Sequence, residues 1–288
     1  TPISLPPPTL QYADFAVWQT AWLQSNDFAR QRDYWIQQLS GLPDALDLPT
    51  DYPRPARQTF HGVQISRLLP SALLSSLTAY ARSQEATLFM LLLAALDTLL
   101  WGYTSQDDIA IGTIIANRNH PQTEQIIGLF INTLILRSDL SGDPTFQELL
   151  QRVRRVTLDA YEHQDMPFEK LVETLKPRRD PSRSPLFQIL VLLQNLPAPE
   201  VLPGGIAVEP VHIGGSTAIY DLTLYFTETH QGLFIVLEYN TALFAQQTIE
   251  RLLDHLHRLL EQISATPEVA LSSLILSLAE GALPMNGH

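Results

Sequence analysis

Residues 163–188 read HQDMPFEKLVETLKPRRDPSRSPLFQ, and three kinds of structure follow one another inside them. Phe168, Leu171, Val172 and Leu175 recur at i, i+3, i+4 and i+7, which puts them on one apolar stripe of a short helix. Pro167 suits the first turn, where its missing N–H costs nothing, and Asp165 places a carboxylate near the positive helix end. Pro177 stops the helix, while Lys176, Arg178 and Arg179 bring positive charge to its negative end. Pro181 and Pro185 then keep the chain extended up to Leu186–Leu193, a run too apolar for a surface strand. The segment predicts a helix, a basic turn and a buried strand.

The same reading extends outward. Tyr12–Leu39 reads as helix, with Tyr12, Phe15, Trp18 and Trp22 at helical spacing; these rings either form a stacking platform or anchor the helix to a domain face. Residues 42–59 are a Pro- and Asp-rich loop before a strand at 63–69. Helices follow at 71–80 and 86–103, the second apolar nearly all round and therefore covered on most sides. Strands are expected at 109–116 and 126–137, a helix at 146–161, strands at 206–212, 218–228 and 233–239, and a helix at 246–263. In 220–228, Leu222, Leu224 and Phe226 alternate with Asp221, Thr223 and Tyr225, which suits a half-buried strand. The elements mix without strict βαβ alternation, so the fold class is α/β in the sandwich sense, a mixed β-sheet covered by helices.

Composition narrows the function. The chain has 288 residues, 45% of them hydrophobic, and a net charge of −12. That acidic balance argues against a nucleic-acid binder. With no cysteine, disulfides, thiolate nucleophiles and zinc–sulfur sites are excluded. The most apolar segment, Leu88–Trp101, contains Asp97 and falls short of the ~20 residues a membrane span needs. No signal-peptide pattern opens the chain, and a cytoplasmic setting is expected. Thr1 in place of Met and the Pro6–Pro8 run suggest a piece of a longer polypeptide with residues 1–11 as linker.

Chemical motifs are few. There is no Gly-rich phosphate loop, no GxSxG and no HExxH. His255 and His257 stand two apart on a helix and face different directions, which reads as solvated positions. His163 at a helix junction reads as a cap or a backbone hydrogen bond rather than a base. Asn132 and Thr133 interrupt an apolar strand and, if buried, need partners; fixing a neighbouring loop or touching a substrate both account for them. Lys176, Arg178, Arg179 and Arg183 form a basic cluster in an acidic chain, either solvated turn residues or a dock for a phosphate or acidic partner.

Several segments, taken in order, resemble the condensation domain of nonribosomal peptide synthetases: YADFAVW (12–18), IGLFINTLILR (127–137), HQDMPFEKLVE (163–173) and RDPSRSPLFQ (179–188), with IGTIIANRN (111–119) and EYNTALF (238–244) between and after them. The resemblance runs to about residue 276 and implies a chloramphenicol-acetyltransferase-like fold of two lobes with a tunnel between them. There, phosphopantetheine arms on carrier proteins meet and an acceptor amine attacks a donor thioester. The family's active-site motif is HHxxxDG. This sequence contains no adjacent histidine pair, and His120 and His257, each with Glu four residues on, lack the rest of the motif.

The expectation is therefore a C-terminal lobe over 12–276, a tail over 277–288, and no catalytic or metal-ligating residue in this chain. One lobe by itself is expected to expose apolar surface. By position in the family pattern, Asn132, Ser216, Tyr220 and Asp221 are candidates for tunnel lining or loop support, and Gly214–Gly215 would let backbone approach a pantetheine arm or make a plain turn. Lys176, Arg178, Arg179 and Arg183 are the carrier- or phosphate-binding candidates. The implied partners are peptidyl carrier domains and the first lobe, with no nucleic acid and no membrane; the chain binds no cofactor of its own, the phosphopantetheine arriving on carriers. The alternatives are a non-catalytic carrier-binding module and a self-contained acyltransferase of the same superfamily.

Overall fold

The computed structural model describes residues 9–194, 201–202, 206–207 and 215–279. Eight α-helices, one short 3-10 turn (Pro121–Thr123) and eight strands are found among them. In chain order they are α1 (Tyr12–Trp22), α2 (Asn26–Gln38), β1 (Gly62–Pro70), α3 (Ser71–Ser83), α4 (Leu88–Thr104), β2 (Asp108–Ile115) and β3 (Asn132–Asp139). Then come α5 (Phe146–Glu162), α6 (Phe168–Leu175), β4 (Ile189–Gln194), β5 (Val201–Leu202), β6 (Ile206–Ala207), β7 (Leu222–Thr229), β8 (Gly232–Asn240), α7 (Gln246–Ala265) and α8 (Leu271–Ala279). Six strands form one sheet in the order β1-β8-β7-β4-β2-β3. β4 runs parallel to both β2 and β7, and the remaining pairs are antiparallel, so the sheet is mixed, as the sequence suggests.

α3, α4, α5 and α7 pack on the sheet and on one another, with α8 closing over α4 and α7. α4 is the centre of this layer. Thr87 caps it by accepting a hydrogen bond from the Met90 amide, satisfying one of the donors a helix start leaves unpaired. Thirteen of its 17 residues are buried, Asp97 among them, because neighbours cover nearly every side of an almost wholly apolar helix. Among the described residues no single helix is long and apolar enough to cross a membrane.

Several differences from the sequence reading have physical causes. The first helix breaks at Leu23–Ser25, where the Ser25 hydroxyl accepts from the Phe28 amide and starts α2 afresh. The strand expected over 126–137 begins only at Asn132, because β2 ends at Ile115, the partner of Asn132. Residues 126–131 run on past the sheet; Ile126 and Phe130 turn inward, whereas Ile127 (96% exposed), Leu129 and Ile131 face solvent. β7 starts at Leu222 rather than Ala218, and Thr223 on its supposedly open face is buried. α8, to which the sequence reading assigned nothing although Leu271, Leu274, Ile275 and Leu278 recur at i, i+3, i+4 and i+7, carries the chain to Ala279, into the stretch expected as tail. Of the strand expected over 206–212, Ile206–Ala207 pairs with Val201–Leu202, and 208–214 lie outside the described residues.

Gly112 in β2 shows how closely this core is fitted. A Cβ there would stand 2.2 Å from Cε2 of Phe187, whose side chain is buried. Gly112→Ala should destabilise the fold by about 1–3 kcal/mol, the usual cost of overpacking. Urea unfolding measures it, and Phe187→Leu in the same chain should recover part of the loss.

Candidate functional site

The helix–turn–strand segment forms one wall of a large cleft. A cavity of about 1480 Å³ lies between α6 and the turn 176–186 on one side and residues 36–47 on the other. Apolar side chains including Ile36, Leu42, Val172 and Leu186 line it, and the basic cluster sits along its edge. Lys176 ends α6 in the left-handed conformation, φ 47°. The Arg178 guanidinium is 83% exposed and 3.9 Å from the Asp44 carboxylate across the cleft. Arg183 pairs with Asp180 at 2.9 Å, and the Ser182 hydroxyl and amide hold the Asp180 carboxyl below its usual range. Arg179 is exposed. The cluster is thus a rim of charge that water reaches, suited to a macromolecular partner rather than a buried anion.

Asn132 fastens this wall to the sheet. It is 9% exposed and uses its whole amide. Nδ2 donates to the Gln164 and Met166 carbonyls at 2.9 and 2.8 Å. Oδ1 accepts from the Thr133 and Phe168 amides at 2.9 and 3.0 Å. Two of these bonds fix the turn between α5 and α6, and the Phe168 amide is an orphan donor at the start of α6. Asn132 therefore supports a loop, one of the two roles its sequence position suggested. Asp165, placed by sequence near the start of α6, also accepts from Gln31 Nε2 at 3.1 Å and Asn119 Nδ2 at 3.2 Å.

The opposite wall is held by Arg137, to which sequence reasoning assigned nothing. Its guanidinium grips Asp108 through two bonds of 2.8 and 2.7 Å and donates to the Gln38 and Ser40 carbonyls. Leu46 N donates to Gln188 Oε1 at 2.9 Å, so the last residue of the signature segment ties the two walls together.

Ser216, Tyr220 and Asp221 do not line this cavity; they lie on the loop leading into β7, which Arg54 links to the basic turn at the Ser182 carbonyl. The Ser216 side chain is exposed. Tyr220 is half-buried and stacked on Phe187 at 5.1 Å, with burial raising its phenol pKa. Asp221 is buried and receives Arg54 in a bidentate pair, Nη1 to Oδ1 at 3.0 Å and Nη2 to Oδ2 at 2.5 Å. Sequence reasoning missed Arg54, whose only local signal is its place between Pro53 and Pro55. Gly214 lies outside the described residues.

Neither histidine reading points to a base. His163 caps α5, donating from Nδ1 to the Asp159 carbonyl at 2.7 Å and stacking on Tyr34 at 3.8 Å. His255 corrects its expected solvated position. It falls on the inward stripe of α7 with Leu252, Leu256 and Leu259 and is 2% exposed. Burial, with Arg258 and Arg251 nearby, pushes its pKa down, so a neutral imidazole meets the Tyr103 hydroxyl at 2.8 Å. His257 is partly exposed, its Nε2 3.5 Å from Glu261. Among the described residues no cluster of three His, Cys, Asp or Glu side chains could hold a metal. The aromatic residues of α1 form a ladder that meets Phe130 and His120, which is the anchoring role, although no α1 residue is fully buried.

Known proteins share this arrangement. The chain is 44% identical over 264 residues to malpinin synthetase of Mortierella alpina, covering 92% of this chain and 3% of that protein. It is 41% identical over 273 residues to surfactin synthase subunit 1 of Bacillus subtilis (strain 168), covering 95% and 8% respectively. The chain thus spans less than a tenth of these curated relatives. Among solved structures, the X-domain from teicoplanin biosynthesis superposes with a TM-score of 0.85 at 29% identity, over 93% of this chain and 63% of that one. The mixed sheet and its helices are therefore the fold of condensation-type domains. The condensation-domain family model matches residues 2–282, and the chain belongs to that family.

Proposed function

We propose that the chain is the second lobe of a nonribosomal peptide synthetase condensation domain and forms one wall of the tunnel in which an amide bond is made. The observation that carries this is the family match over 2–282 in a chain whose relatives are peptide synthases. In the reaction the acceptor amine attacks the donor thioester carbonyl, the C–N bond forms and the C–S bond breaks. The thiol leaves on the donor's pantetheine with the proton that the amine gives up. This chain's share is positional. Ser216 presents an exposed hydroxyl beside Gly215, where a pantetheine arm could lie close to backbone. Tyr220 packs the loop onto Phe187, Asp221 anchors it, and Asn132 shapes the neighbouring wall. No cofactor is held by this lobe; the pantetheine comes with its carriers. The first lobe, bearing HHxxxDG, supplies the catalytic group and covers the exposed Ile127, Leu129 and Ile131. The setting is cytoplasmic.

The basic rim is the proposed dock for an acidic carrier domain. Lys176, Arg178, Arg179 and Arg183 stand against a chain total of −12; the exposure of Lys176, Arg178 and Arg179 favours long-range attraction, while Arg183 is part-buried and paired with Asp180. Binding of a holo-carrier should weaken as salt rises, and Arg178→Glu with Arg179→Glu should reduce affinity roughly tenfold. Unchanged affinity after both substitutions would remove the electrostatic dock. With this chain as the sole condensation component, loaded carriers should give no dipeptidyl product; product formation would instead mark a self-contained acyltransferase. A chain that holds carriers in salt-sensitive fashion yet yields no amide even beside an HHxxxDG lobe would be a non-catalytic carrier module.

A further inference from the structure

Residues 54–62 run beside the loop 215–221, and five of the nine, Arg54, Gln58, Phe60, His61 and Gly62, bond to it. Arg54 pairs with Asp221 and also donates to the Ser182 carbonyl at 3.2 Å. The Gln58 amide donates to the Pro181 carbonyl at 2.9 Å, and its side-chain Nε2 to the Ile219 carbonyl. Phe60 O accepts from the Ala218 amide at 2.9 Å, His61 bridges to Thr217, and Gly62 N donates to the Ser216 carbonyl at 3.0 Å. A Cβ on Gly62 would stand 2.6 Å from the Ala218 nitrogen and the Thr217 carbonyl carbon, so only glycine permits this approach. Phe60 sits at φ 59°, a conformation that a bulky residue keeps only when its surroundings over-determine it. The strap therefore fixes the loop from the back, while Ser216, Thr217 and Ile219 (62% exposed) face outward from the front.

We propose that this strap is a template for the loop, and that Arg54 and Gly62 are positioning residues for amide formation, acting through Asp221 and through Ser216–Ala218. This rests on the reading of the loop as part of the tunnel wall. The two residues hold opposite ends of the same strap by unlike means. Arg54 supplies a planar two-pronged charge that lysine cannot reproduce. Gly62 supplies only the absence of a side chain. Among the described residues, the loop's other fastenings lie at its far end: Tyr220 stacks on Phe187, the Asp221 amide donates to the Gln188 carbonyl at 3.0 Å, and the Asp221 carbonyl accepts from the Asn240 amide just before β7 begins at Leu222.

The test uses Arg54→Lys and Gly62→Ala in the complete two-lobed condensation domain, with loaded donor and acceptor carriers at saturation. Both variants should lower the single-turnover rate of amide formation by roughly 10- to 100-fold, the range for an ångström-scale misplacement, while carrier affinity stays within about twofold of wild type. Hydrogen exchange should quicken at the amides of 216–221 and stay unchanged in α4, which separates a loosened loop from a damaged fold. If one variant fails that fold check, the other carries the test. Wild-type exchange at 216–221 in a folded variant overturns the template, and faster exchange with an unchanged rate overturns its role in the reaction. A wild-type domain that forms no amide sinks the tunnel reading instead, and the exchange measurement alone then decides the strap.

Discussion

Asn132→Ala should lower the free energy of unfolding by about 3–5 kcal/mol, near the upper end for a single substitution. The side chain makes four hydrogen bonds from a buried position, and its loss strands two carbonyls and two amides. A buried group left unpaired costs about 1–3 kcal/mol, and partial entry of water keeps the total below the simple sum. Asn132→Asp distinguishes the two halves of the amide. It keeps the bonds accepted from the Thr133 and Phe168 amides but turns a carboxylate oxygen toward the Gln164 and Met166 carbonyls, so its cost should be at least as large. The loss should be concentrated in the turn 163–168 and in α6, visible as early proteolysis there. A change below about 1 kcal/mol in urea unfolding would show that the turn is held by other means.

Asp97→Asn should stabilise the protein, and the gain should grow with pH. The carboxyl is wholly buried, and burial pushes its pKa from 3.8 up to about 8; the nearby Ser138 hydroxyl offsets only part of this. Both carboxyl oxygens lack a completed hydrogen bond, and so does the Ser138 hydroxyl. The folded state thus holds the proton up to about pH 8, while the unfolded chain gives it up near pH 4. Below that range both states are protonated and the neutral acid costs little more than an amide. Between the two values stability falls as pH rises, by about 1.4 kcal/mol per unit for one proton, and it levels off above pH 8. Asparagine has no such proton. The wild-type and variant stabilities should therefore be close near pH 4 and several kcal/mol apart at pH 8. Parallel curves across that window would mean that the Asp97 carboxyl is ionised in the folded protein at neutral pH.

Whatever depends on neighbours in the chain is legible in the sequence. The stripe at Phe168, Leu171, Val172 and Leu175, the stop at Pro177 and the apolar run before Gln194 are local, and α6, the turn and β4 follow them closely. The polar break at Asn132 also announces a loop contact, because a buried amide demands partners wherever they come from. Pairings across long separations give no such signal. Arg54 and Asp221 are 167 residues apart, and nothing near either one names the other. His255 reads as solvated because spacing from His257 separates their faces without saying which face is covered; the buried stripe through Leu252, Leu256 and Leu259 includes it. Ile127, Leu129 and Ile131 read as part of a central strand because hydrophobicity marks surface to be covered without saying what covers it. The Ser216–Asp221 loop is found through family resemblance, and its fastening by residues 54–62 only through the fold.

The strand order carries a consequence for how such a chain is made. β1 pairs residue for residue with β8, from Gly62↔Asn240 to Pro70↔Gly232, so the first strand of this sheet waits for the last. β2 and β3 can form their antiparallel pair early, but among the described residues the sheet partner of β1 is β8, which is complete only at Asn240. Until then its unpaired backbone is an open edge, and closing it costs the entropy of a very long loop. Vectorial synthesis therefore adds this edge strand to the sheet last. Val63 and Leu68 are exposed on that strand, while Arg67 and the helix-starting Pro70–Ser71 interrupt what would otherwise be a sticky ribbon. The edge that waits longest carries its own protection.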